Sequence, residues 1–112
     1  MGALTVAAAT VGLGAGSAQA ATPETLEVCA HGLYRVHVAA PDLGIDLRIP
    51  PGACWQTGVT RVSGNPSYQV NAYAQRTEDG SERYIASALF RADGGLKLIC
   101  EGTYDSPFMY SA

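Results

Sequence analysis

The stretch Tyr68-Gln69-Val70-Asn71-Ala72-Tyr73-Ala74-Gln75 alternates at every position. Tyr68, Val70, Ala72 and Ala74 fall on one side, and Gln69, Asn71, Tyr73 and Gln75 on the other. A period of two is the signature of a β-strand with one face buried and one face in water. The same signal runs outward in both directions. Upstream, Ile45-Asp46-Leu47-Arg48-Ile49 alternates without a fault, and Leu33 to Val38 sets Tyr34, Val36 and Val38 against Arg35 and His37. Leu26 to Ala30 and Cys54 to Val62 are also extended, with Gly58 as a candidate bulge. Downstream, Tyr84 to Phe90 and Leu96 to Cys100 follow, and the tail from Gly102 to Ala112 is expected to add an edge strand.

Turn residues separate these runs. Pro41-Asp42-Leu43-Gly44, Pro50-Pro51-Gly52, Ser63-Gly64-Asn65-Pro66, Glu78-Asp79-Gly80-Ser81 and Asp93-Gly94-Gly95 supply fixed φ, local hydrogen bonds or positive φ. No segment of the mature part repeats apolar residues at intervals of three and four over two turns. The expectation is an all-β fold: an antiparallel β-sandwich, immunoglobulin-like or a small barrel, of about seven strands.

The first 20 residues carry no charge, and Ser17-Ala18-Gln19-Ala20 places small residues where a signal peptidase needs them. Residues 1–20 are therefore expected to be a signal peptide cleaved after Ala20, leaving residues 21–112 as one secreted, extracellular β-sandwich domain. The run is too short and too rich in Ala and Gly for a stable membrane span, so the mature form is expected to have no membrane association. The first basic residue is Arg35, which implies a weak leader or a true start upstream of Met1.

Export makes the three cysteines oxidisable. Cys29, Cys54 and Cys100 allow three pairings with one thiol left over. Cys29–Cys54 is favoured, since each lies in a strand-like stretch near the start of the domain. It closes a loop of 25 residues, worth roughly 3 kcal/mol by restriction of the unfolded chain. Cys100, within Leu96-Lys97-Leu98-Ile99-Cys100, is expected to be a buried thiol. No metal and no cofactor are expected: there is no CxxC, and no His pair at ligand spacing.

A net charge of −3 without a Lys/Arg cluster argues against nucleic acid as a partner, and 47% apolar residues argue against disorder. His31 and His37 could in principle pair with a thiol, but His37 alternates with Val36 and Val38 and reads as a solvent-face residue. Asp42, Asp46, Glu78, Asp79 and Glu82 sit at or beside turns, where carboxylates are solvated and serve turn chemistry; neither group matches the EF-hand spacing.

Two surfaces remain. Gln69, Asn71, Tyr73 and Gln75 point the same way at about 7 Å intervals; amides both donate and accept, and Tyr73 adds a flat ring. That face suits a non-catalytic module binding an extracellular polysaccharide or protein. The alternative is a proteinaceous inhibitor of an extracellular hydrolase, using Arg48, Pro50, Pro51 and Trp55 on a proline-stiffened loop. A small hydrolase is the third reading and has no convincing constellation. On this account, intact mass of the exported protein starts at Ala21, and alkylation of the unfolded, unreduced chain modifies one thiol. Three modified thiols would remove the disulfide.

Overall fold

The computed structural model describes the backbone of residues 6–13 and the whole of residues 21–112; the expected cleavage position at Ala20 lies outside the described residues. Among the described residues nine strands form: β1 (Val6–Leu13), β2 (Thr25–Ala30), β3 (Arg35–Ala40), β4 (Ile45–Ile49), β5 (Ala53–Val59), β6 (Tyr68–Gln75), β7 (Glu82–Phe90), β8 (Leu96–Gly102) and β9 (Pro107–Ser111). Two sheets result, ordered β1-β5-β2-β8-β9 and β4-β3-β6-β7. Residues 21–112 thus give four strands to each sheet, an all-β arrangement compatible with a sandwich.

The alternation seen in sequence decides which side of each strand is dry. Val36, Val38 and Ala40 of β3 and Val70, Ala72 and Ala74 of β6 point inward and are buried. They meet Leu26, Val28 and Ala30 of β2, Trp55 and Val59 of β5, and Leu98 and Cys100 of β8 in a single apolar cluster. Phe90 and Tyr34 are among its largest members. Tyr34 can be buried because its hydroxyl donates to the Glu101 carbonyl at 2.7 Å, which removes most of the cost of desolvating a phenol.

Several details refine or depart from the sequence expectation. The β2–β8 pair is parallel, Leu26↔Leu96 through Ala30↔Cys100, so one sheet is mixed rather than antiparallel throughout. The turn expected at Pro41-Asp42-Leu43-Gly44 is present as one 3-10 turn over Pro41–Leu43, closed by Gly44 at φ 69° with its N–H on the Pro41 carbonyl. Gly58 pairs with Thr25 of β2 in normal register, and the irregularity at its level lies on the other side, where Ala7 of β1 is the extra residue between Val6↔Val59 and Ala8↔Gly58. A bulge also occurs in β7: Tyr73 pairs with Tyr84 while Ala72 pairs with Ala86, leaving Ile85 as the extra residue.

Cys29 and Cys54 face each other across β2 and β5 and are joined by the expected disulfide. Cys100 is free and buried. Gly95 marks the tightest backbone approach: at φ 68°, a Cβ there would lie 2.0 Å from the Thr22 carbonyl oxygen, so only glycine fits.

Burial also makes two groups reluctant to ionise. Desolvation pushes the Cys100 thiol up to about 12. Desolvation, then the nearby Cys100 and Glu101, raises Tyr34 as well. A pKa raised in the folded state means that the native form holds its proton more tightly than the unfolded chain. The associated stability is complete below the ordinary thiol range near pH 9 and is lost as pH climbs toward 12. The unfolding free energy from urea titration should therefore fall through the alkaline range, by up to about 1.4 kcal/mol per pH unit per group. Cys100→Ala should make that fall shallower; an unchanged slope would place Cys100 in contact with water.

Candidate functional site

The outer face of the sheet β4-β3-β6-β7 collects most of the polar chemistry of the fold. Strand register brings two rows into line. His37 lies between Arg48 of β4 and Tyr73 of β6, Tyr73 lies beside Tyr84 of β7, and Asn71 lies beside Ser87. The β7 bulge matters here. Tyr84 and Ser87 are three residues apart, a spacing that a regular strand would send to opposite faces. The extra residue Ile85 restores both to the outer side, where the Tyr84 hydroxyl and Ser87 Oγ are 2.7 Å apart.

Rings occupy the middle of the face. His37 and Tyr73 have centroids 5.4 Å apart with planes tilted by 33°, and Tyr73 and Tyr84 meet edge-to-face at 5.7 Å. Such separations are in the favourable range for aromatic pairs. Around the rings runs a hydrogen-bonded amide and hydroxyl network. Gln69 Nε2 donates to Asn71 Oδ1 at 2.7 Å, and Ser87 Oγ donates to the same oxygen at 2.6 Å. At the other end, Arg35 donates to Gln75 Oε1 at 2.8 Å, and Gln75 Nε2 donates to Glu82 at 3.0 Å.

His37 sits between two carboxylates. Its Nε2 is 2.5 Å from Asp46. Its Nδ1 is 2.8 Å from Glu82, an approach not directed as a hydrogen bond. Arg48 spans the same two carboxylates at 3.8 Å each. Two cations, two anions and an imidazole thus share the face, with Glu82 contacting His37, Arg48 and Gln75 together. Half-exposed pairs of this kind stabilise little, typically below about 1 kcal/mol. Their value is in holding side chains in place.

All four residues of the sequence-derived face, Gln69, Asn71, Tyr73 and Gln75, do line one strand together. Gln75 is nearly buried, at 7% exposure, because Arg35 and Glu82 cover it. Sequence reasoning missed Asp46, Glu82, Tyr84 and Ser87 as members of this face; the outward parity of Asp46, and of Ser87 in the run that ends at Phe90, was legible, while Glu82 and Tyr84 required the β7 bulge. The loop of the inhibitor reading is divided. Pro50, Pro51 and Gly52 are exposed, and Gly52 N–H donates to the Ala30 carbonyl at 2.6 Å. Trp55, however, points into the core at 4% exposure, and Arg48 lies on the sheet face among the carboxylates. Neither stands on the loop tip.

Other groupings offer less. Cys29, His31 and Cys54 place ligand atoms within 4.8 Å of one another, but the two sulfurs are bonded together and offer no thiolate, which leaves the imidazole as the one ordinary metal ligand of the group. Phe108 and Tyr110 stack at 6.5 Å on β9, with the Tyr110 hydroxyl committed to Glu101; they form one short row on an edge strand. Comparison with protein-family models, with characterised proteins and with solved structures yields no match, and the functional reading rests on the chain's own residues. If the face is an added surface rather than a structural necessity, Glu82→Ala should cost about 1 kcal/mol or less in a denaturant titration. A loss of several kcal/mol would make the network part of the fold.

Proposed function

We propose that the chain is a small exported, non-catalytic binding module that holds an extracellular polysaccharide against the outer face of β3, β6 and β7. The observation that carries this reading is the in-register row His37–Tyr73–Tyr84, bordered by Gln69, Asn71, Gln75 and Ser87. Sugars present hydroxyls that want paired donors and acceptors, and C–H faces that want flat apolar partners. Amides, a serine hydroxyl and tyrosine rings supply both. Because the side chains are already tied to one another, little rotamer freedom is lost when a ligand docks. The mixture of Arg35, Arg48, Asp46 and Glu82 gives the face no dominant sign, which favours an uncharged glycan.

Export is supported by the Cys29–Cys54 bond, of a kind that persists in oxidising compartments, and by the Ala18-Gln19-Ala20 pattern. An immunoglobulin-like sandwich is the architecture this reading favours, with Trp55 in the core; it must accommodate the parallel β2–β8 pair and a Cys29–Cys54 bond that joins neighbouring strands of one sheet rather than the two sheets. A non-catalytic role is favoured because the ion-pair and hydrogen-bond partners of His37 are carboxylates, with no nucleophile among them. The inhibitor alternative would have to act through Pro50, Pro51 and Gly52 alone.

Affinity electrophoresis and pull-down against a panel of neutral polysaccharides test the proposal. Tyr73→Ala and Tyr84→Ala should each weaken retention roughly tenfold or more, the size expected for a central aromatic anchor. Replacing Pro50 and Pro51 by Ala should leave retention unchanged. Retention insensitive to both tyrosines, or none on any glycan, overturns it.

A further inference from the structure

β1 occupies the outer edge of β5 by antiparallel pairing that runs from Val6↔Val59 to Leu13↔Ala53. The polar groups of β5 that face this edge follow from alternation. Val59 N–H donates to the Glu24 carbonyl at 2.9 Å, on the side of β2. Antiparallel strands turn the N–H and C=O of successive residues to opposite sides, so those of Cys54, Gln56 and Gly58 face away from β2. In a chain that starts at Ala21, these donors and acceptors have lost their partner strand.

Open edges are normally defended by charge, proline or distortion. The other three outermost strands have such defences. β4 carries Asp46 and Arg48 and runs into Pro50-Pro51; β7 carries Glu82 and Arg83; β9 opens on Pro107. β5, Ala-Cys-Trp-Gln-Thr-Gly-Val, has neither a charge nor a proline. Its sequence is that of an interior strand.

We infer that β5 of the processed protein pairs antiparallel with β5 of a second copy, about a two-fold axis through Gln56, so that one sheet continues across the dimer. This rests on removal of the leader as read under Proposed function. The register is constrained. With Gln56 opposite its symmetry mate, Cys54 falls opposite the partner's Gly58 and Trp55 opposite the partner's Thr57. The whole strand is then paired, and core-facing residues stay opposite core-facing ones. A slip by one residue would set core-facing residues opposite solvent-facing ones. A two-fold contact of one strand with itself also closes at two copies and does not propagate. The axis residue, Gln56, is exposed on the outer side, so its side chain can be changed without touching the core.

The test uses protein recovered from the medium of an exporting host, with its N-terminus fixed by intact mass and its assembly state by sedimentation velocity across a dilution series. The expected result is a chain beginning at Ala21 that sediments at twice its monomer mass. Gln56→Lys and Gln56→Glu should each give monomers, because like charges then face each other across the axis; mixing the two variants should restore the dimer. A chain that retains Val6–Leu13 contradicts the processing and the dimer together. A processed chain that is monomeric throughout overturns the dimer and leaves the processing intact. A dimer indifferent to both substitutions overturns the β5 contact.

Discussion

Strand register decides which side chains of this protein are dry and which meet on its outer face, and β6 sets it. Strand β6 lies between β3 and β7, and its side chains alternate between the core and the outer face. A slip of one residue against β3 would carry Val70, Ala72 and Ala74 into water and drive Gln69, Asn71 and Tyr73 into the apolar cluster. Burial of three small apolar side chains on β6 and of Val36 and Val38 on β3 opposes that slip at every position. Hydrogen bonds in the ladder would be equally available in either register. It is the two-sided character of the strand that selects one of them.

Once the register is fixed, the outer face follows without further choice. Gln75 meets Arg35 and Glu82, Tyr73 meets His37 and Tyr84, and Asn71 meets Ser87. The network is therefore a consequence of packing on the opposite side of the same sheet. The β7 bulge is the one irregularity that adds to it, since Ile85 shifts the phase of the strand and brings Tyr84 and Ser87 to the same side. A face assembled in this way is rigid at small energetic cost, because the core holds the backbone and the surface contacts need only hold side chains.

Much of this was legible in the sequence. Ile45–Ile49 and Tyr68–Gln75 were read with their observed limits, since their alternation is strict and turn residues flank both. The Cys29–Cys54 bond and the buried Cys100 were also legible from their strand context. What could not be read was non-local. Nothing in Leu26–Ala30 or Leu96–Cys100 announces that the two strands run parallel, because parallel and antiparallel partners can use the same alternating pattern. Asp46 and Glu82 belong to separate turn regions in sequence, and only the order β4-β3-β6-β7 brings both to His37. Pro50-Pro51-Gly52 before Trp55 suggests a loop, yet Trp55 shares its parity with Ala53, Thr57 and Val59, which sets it inward. The shift in phase at Ile85 left no mark in the sequence, as Ile85, Ala86 and Ala88 are all apolar or small.

Both the dry side and the polar face of this sheet require the pairing of β6 with its two neighbours. Interstrand nuclear Overhauser effects in an isotopically labelled sample report that pairing residue by residue. Cross-strand backbone contacts are expected between His37 and Tyr73 and between Tyr73 and Tyr84, with Asn71 opposite Ser87. Contacts displaced by one residue, such as His37 to Ala72, would contradict that pairing, because the rings and amides could then no longer share a face.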